Sequence, residues 1–187
     1  MFYTGIGSRE TPPHICSFMR RVAIAMALRG YTGRSGSADG ADIAFEEGAL
    51  AANGPFESYL PWDGFSKRHE SDIHILAANL IHWPLAEKLI REIHPGFDFM
   101  SQGSQKLHTR NMFQVLGRRL HQPSRVIFCY ARPVGSAVAG GTNSAFQLGR
   151  KNAIPIYNFW HSEDILKVSE LLHIRTSLDQ FNLKLWW

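Results

Sequence analysis

Residues 33–49, GRSGSADGADIAFEEGA, run from glycines and small polar residues straight into a helical pattern. Two readings of the stretch compete. Either the glycines permit a tight strand-to-helix turn that the acids cap, or bare backbone N–H groups are left to meet a phosphate or a ribose. The flanks narrow the choice. YTG at 31–33 reads as a short strand, ADIAFEEGALAA carries the helix toward Gly54, and FESYLPW at 56–62 is a further strand ended by Pro61.

The same alternation extends in both directions. FYTGIG at 2–7 is an apolar strand that ends in glycines. After Pro12 and Pro13, apolar residues Ile15, Phe18, Met19, Val22, Ala23, Met26 and Ala27 recur at helical spacing until Gly30 stops the helix. Residues 64–83 read as loop with weak helix, and firmer helices are expected from Pro84 to His94 and from Thr109 to Leu120. RVIFCY at 125–130 is the clearest strand. A loop leads to the glycine-opened helix AGGTNSAFQLGRK, then to the strand IPIYNF and a closing helix over 162–172. Strands alternating with helices at this spacing predict a Rossmann-like three-layer α/β/α fold with a mostly parallel central sheet. Ligands of such folds sit beyond the carboxyl ends of the strands. GIGSRE, TGRSGSADGAD and AVAGGTN all follow predicted strands, so the fold brings them to one edge.

At 187 residues the chain suits a single domain over 1–187, with a core over about 1–160 and a C-terminal helix and apolar tail over 161–187. That tail, ending in LKLWW, is an expected homo-oligomer contact. The composition, 44% hydrophobic and 19% charged, is that of a globular protein. The longest apolar run, VAIAMAL at 22–28, is too short to span a bilayer, and the chain opens on FYTGIG without a signal-peptide pattern. No membrane partner and a cytoplasmic location are expected. Cys16 and Cys129 have neither a zinc nor a disulfide spacing and are expected to be buried thiols. The net charge of +4 suits an anionic ligand, but the basic residues form no dense block.

Five segments, TGIGSRETPP at 4–13, RSGSADGADIAFEEGA at 34–49, YLPWDGF at 59–65, LHTRNMFQVLG at 107–117 and GGTNSAFQLGRKNAIPIYNF at 140–159, occur in order. Together they resemble the small DprA-like proteins common in bacteriophage genomes. Those belong to the SLOG group of Rossmann-like domains, which also includes the LOG phosphoribohydrolases. The resemblance covers about residues 1–160 and implies a pocket for a nucleotide or a nucleotide-derived ligand.

The residues suggest how such a pocket is built. Gly140, Gly141 and Thr142 are expected to hold a phosphate at a helix start, with Asn143 beside them; a capped turn is the alternative. Gly7, Ser8 and Arg9 end the first strand, where Arg9 forks onto a phosphate, stacks on a base, or simply pairs with Glu10. Arg34, Ser35 and Gly36 follow the second strand. Asp39, Asp42 and Glu46 lie at intervals of three and four along one helical stripe, suited to ribose hydroxyls or to dipole compensation. Arg110 and Asn111 resemble the arginine and asparagine at this family position, placed at a helix start with Thr109 as the alternative N-cap. Trp62 either packs, closes the pocket or stacks a base.

Three functions follow. The first is binding of a nucleotide-type signal, such as a cyclic nucleotide or an ADP-ribose derivative, as a phage sequestering or anti-defence protein. The second is hydrolysis of an N-glycosidic bond. LOG enzymes carry a glutamate three residues after the threonine, whereas Thr142 is followed by Asn143, Ser144, Ala145 and Phe146, so Glu46 or Glu47 would have to substitute. The third is binding of single-stranded DNA. His69, Asp72 and His74 match no metal-ligand motif, and no GxSxG elbow is present, so neither a metal, a cofactor nor a serine nucleophile is expected.

Overall fold

The computed structural model describes residues 1–175. Eight strands and six helices follow in the order β1 (Phe2–Gly7), α1 (Pro13–Leu28), β2 (Thr32–Ser35), α2 (Ala41–Ala51), β3 (Phe56–Leu60), β4 (His74–Leu76), α3 (Trp83–Ile93), α4 (Gln102–Leu116), β5 (Ile127–Tyr130), β6 (Pro133–Val134), β7 (Ala137–Val138), α5 (Thr142–Lys151), β8 (Ile156–Asn158) and α6 (Ser162–Leu172). Six strands form a parallel sheet in the order β4-β3-β2-β1-β5-β8. The chain builds outward from β1 to one side through β4, then returns to add β5 and β8 on the other. The switch in strand order therefore falls between β1 and β5.

Each face of the sheet has its own apolar layer. On one face α1 and α2 pack with α6, burying Phe18, Met19, Val22, Phe45 and Ile165 against Tyr3 and Phe128. A Cβ on Gly5 would enter the Phe45 ring, so this strand glycine lets α2 lie close to β1. Burial of such a ring is worth roughly 3–5 kcal/mol, by the cost of deleting it to alanine. On the other face α3, α4 and α5 bury Ile90, Met112, Phe113, Val115 and Leu148 against Ile6, Ile127 and Cys129. Both cysteines are buried and free.

The three-layer fold read from the sequence is the one observed, and α1, α2, α3 and α6 lie where the apolar spacing puts them. Other boundaries differ. β4 lies within 64–83, read as loop and weak helix, because its three residues HIL are too few to display a strand period. The hairpin of β6 and β7 occupies a stretch read as a loop. The largest difference is α4, which starts at Gln102 and ends at Leu116 rather than running from Thr109 to Leu120. Its N-cap is Ser101, whose side chain accepts from the Ser104 N–H, and its first two turns are polar. Thr109 is thus inside the helix, bonding the Gln105 carbonyl at 2.8 Å, and Arg110 and Asn111 lie past the helix midpoint. Among the described residues no helix is long and apolar enough to cross a membrane. The apolar end expected to mediate association, LDQFNLKLWW, lies outside the described residues.

Candidate functional site

A cleft of about 500 Å³ opens at the carboxyl end of β1, beside the switch in strand order. Its walls are residues 6–10 at the end of β1, the β2–α2 turn at Ala38 with Asp42, one face of α4, and residues 139–142 ahead of α5. Several segments distant in sequence converge there because parallel strands all present their carboxyl ends to the same edge.

Arg110 is the central charge. It is only 4% exposed, and its guanidinium lies 3.5 Å from the Asp42 carboxylate, itself 3% exposed. Asp42 also accepts from the Gly7 N–H at 3.2 Å and the Ala38 N–H at 3.4 Å. Gln114 is oriented so that its amide nitrogen donates to Asn111 Oδ1 at 3.0 Å, while its oxygen accepts from the Gly36 N–H at 3.0 Å and from Arg110. Burial pushes the Asp42 carboxyl up, opposed by the guanidinium and the two backbone N–H groups. Burial likewise pulls Arg110 down, opposed by Asp42. Arg110 Nε is buried and has no partner. A buried donor left unsatisfied costs on the order of 1–3 kcal/mol, so native proteins rarely carry one.

The glycines divide into two groups. A Cβ on Gly36 would stand inside the Arg110 guanidinium, so this glycine makes room for the arginine. Gly40 has φ +78° with the Ser8 and Arg9 carbonyl oxygens 2.6 Å from where its Cβ would be, and the Ala41 N–H meets Ser8 O at 3.4 Å. The glycines of the 33–49 stretch are therefore used in packing the protein against itself. Gly140 and Gly141 have nothing within 4 Å of a Cβ, and α5 begins at Gly141 with no side-chain cap. Asn111 Nδ2 donates to the Gly141 carbonyl at 2.9 Å and Asn143 Oδ1 accepts from the Val138 N–H at 3.3 Å, which fix the turn. The positive end of this helix faces the cleft.

Of the residues singled out from the sequence, Gly7, Ser8, Arg9, Asp42, Arg110, Asn111, Gly140, Gly141 and Thr142 line the cleft. Six others do not. Arg34 pairs in register with Thr4 and Glu57 inside the sheet, bonds Glu57 at 2.9 Å and the Gln122 carbonyl at 2.6 Å, and stacks on Phe2. Ser35 is buried and donates to Gly5 O at 2.6 Å. β2 extends through both residues, which keeps them short of the edge. The expected acidic stripe is broken, because α2 starts at Ala41 and leaves Asp39 exposed in the preceding turn. Glu46 is buried with Ser37 at 2.7 Å, His74 at 3.2 Å and Arg68 at 3.4 Å. Glu47 is on the surface, paired with Arg20 at 2.6 Å. Asn143 shapes the turn from outside the cleft.

Sequence reasoning missed Ser104, Leu107, His108 and Gln114, which join Asn111 on one face of α4. Their spacing of three and four was the available signal, hidden by placing the helix start seven residues late. The His108 Nδ1 bonds the Ser144 hydroxyl, and its ring packs edge-on to His94 at 5.3 Å. Burial, with His94 and Arg110 nearby, lowers His108 to about 4, leaving the ring neutral at pH 7. Phe65 lies beside the cleft with two guanidinium groups over its ring, Arg9 at 5.8 Å and Arg110 at 5.7 Å. His69 and His74 diverge, the first to Asp63 and the second to Glu46 and Ser71.

No family model matches the chain, and no curated protein is significantly similar to it in sequence. Solved structures are similar in fold. The Moco carrier protein of Chlamydomonas rheinhardtii superposes with a TM-score of 0.50 at 14% identity, over 93% of this chain and 97% of that one. The molybdenum cofactor binding protein of the phototrophic bacterium Rippkaea orientalis gives 0.49 at 15% identity, over 96% and 91%. DNA processing protein A of Helicobacter pylori, described by its single-stranded DNA binding mode, gives 0.39 at 14% identity, over 94% and 82%. At such identities the likeness is one of fold, and the first of these establishes it as Rossmann-like.

Proposed function

We propose that the chain binds a phosphate-bearing small molecule of nucleotide type in the cleft between β1, α4 and the start of α5. The observation that carries this reading is Arg110, buried and charged, with one guanidinium donor unpaired, in a cavity whose opposite wall is an uncapped helix start. An anion between them would be drawn by the guanidinium charge and meet the positive end of α5. Asp42 and Asn111 would then accept or donate to hydroxyls of an attached sugar. A volume of about 500 Å³ matches a mononucleotide or a somewhat larger derivative.

Retention of the ligand fits the residues better than its hydrolysis. The carboxylates lining the cleft are Glu10 and Asp42, and Asp42 is held by Arg110. Ala145, where the resembling hydrolases carry their glutamate, is fully buried in the core. Glu46 and Glu47 point elsewhere. Holding a nucleotide signal out of circulation, the role implied by the phage DprA-like resemblance, needs affinity and no catalytic group.

The test is to incubate the purified protein with mononucleotides, cyclic oligonucleotides, NAD and ADP-ribose isomers, and to identify what it retains by mass spectrometry. One intact compound in the bound pool supports the proposal. Release of a free base makes the chain a glycosidase. An unbound, unaltered panel, with salt-sensitive capture of single-stranded DNA, replaces the proposal by the DNA reading, since each neutralised phosphate steepens the salt dependence.

A further inference from the structure

We propose that Trp62 is the stacking surface for an aromatic ring of the ligand, so that the cleft selects compounds carrying a planar base over sugar phosphates. This rests on the cleft being an anion site and adds a recognition residue outside the phosphate pocket.

Trp62 follows β3 and remains 38% exposed, although large apolar side chains around it are buried. Its indole meets the Phe65 ring edge-on, with centroids 5.2 Å apart. It also lies about 4.0 Å from the Cβ position of Gly103, next to Ser104 on the cleft wall. Phe65 is the ring over which Arg9 and Arg110 both sit. Trp62 and Arg110 are thus no farther apart than their two distances to Phe65 laid end to end, a reach that a base, ribose and phosphate together cover.

The loop is built to hold this arrangement. Gly64, Ser66 and Lys67 have φ of +79°, +49° and +59°, and the last two are not glycine. Left-handed backbone at such residues is costly and persists where the surroundings fix it, most often at functional sites. Here it turns Phe65 inward, 5% exposed, while Trp62 stays open to solvent. Indole offers the largest π-face among the side chains, and stacking on it tolerates any base while demanding that one be present.

The experiment compares the unmodified full chain with Trp62→Ala and Trp62→Phe, titrated calorimetrically with AMP, GMP, CMP and UMP and with ribose 5-phosphate. The expected result is that the unmodified chain prefers at least one nucleotide to ribose 5-phosphate. Trp62→Ala should weaken that nucleotide roughly five- to a hundredfold, the range for losing one base stack, leave ribose 5-phosphate unchanged, and be largely rescued by Trp62→Phe. A nucleotide-to-sugar-phosphate ratio that Trp62→Ala leaves unaltered overturns this assignment alone. If the unmodified chain binds none of the five compounds and retains nothing from the wider panel of cyclic oligonucleotides, NAD and ADP-ribose isomers, the anion-site reading falls and this one with it.

Discussion

Arg110 enters the folded state with its charge balanced by Asp42 at 3.5 Å and its Nε donor unsatisfied. Removing the guanidinium strands a buried carboxylate, which typically costs about 3–5 kcal/mol of stability. Arg110→Gln should therefore lower both stability and affinity. Adding Asp42→Asn should recover much of the stability and none of the affinity, as read by denaturant unfolding and by nucleotide titration of each variant; recovered affinity would exclude Arg110 from ligand contact. Gly36→Ala probes the same contact without touching a charge, because its methyl would occupy the position of the guanidinium. His108 supplies a pH signature. It stays neutral to about pH 4 when folded, whereas an unperturbed histidine titrates near 6.5. Between those values the unfolded chain binds more protons, so the stability from neutral His108 is complete above about pH 6.5 and is lost as the pH falls toward 4. His108→Asn should flatten the decline of the thermal midpoint over that window, and an unchanged slope contradicts the assignment. Sequence alone singled out Arg110 and Asp42 but could not pair them. Nor could it foresee that Arg34, in a glycine-bearing stretch read as following a strand, would be sealed between β1 and β3.

At the scale of elements, the two glycine-rich helix starts differ in what faces them. The start of α2 is closed by the Ser8–Arg9 backbone, and the start of α5 is open. Gly141 has ordinary backbone angles, φ −62° and ψ −23°, and free space around it. Gly141→Ala should thus leave unfolding free energy within about 0.5 kcal/mol, as for an unstrained surface change, yet weaken nucleotide binding several-fold by placing a methyl at the phosphate. Equal affinity in the two proteins would move the phosphate away from α5. Both glycine clusters were visible in the sequence at strand-to-helix junctions, but composition could not say which one the protein fills itself. α1 and α6 were legible because their apolar spacing is sustained over several turns. α4 was misplaced for the opposite reason: its first turns border the cleft and are polar, so the cleft-facing side hid the helix. β4 was missed because three residues carry no period.

At the scale of the molecule, the sheet's change of direction between β1 and β5 creates the crevice, and α4 and α5 from one face border it. That much follows from alternating elements, which is why the fold and the edge at which the cleft opens were both readable before any side chain was placed. A ligand held there and not by the unfolded chain must raise global stability. At a hundredfold excess over Kd the gain is about 2.7 kcal/mol, or roughly 5–10 °C in thermal midpoint for a chain of this size. A small anion engaging one or two cationic groups should also show a shallow salt dependence, unlike DNA. The most direct single measurement is the thermal midpoint of the unmodified chain and of Gly141→Ala, each with and without a saturating concentration of the compound retained from the nucleotide panel. The account predicts a shift of several degrees in the first protein and one smaller by about 2–4 °C in the second, the difference for a site weakened about fivefold, from equal starting midpoints. Equal shifts in both would contradict an anion site between Arg110 and the start of α5.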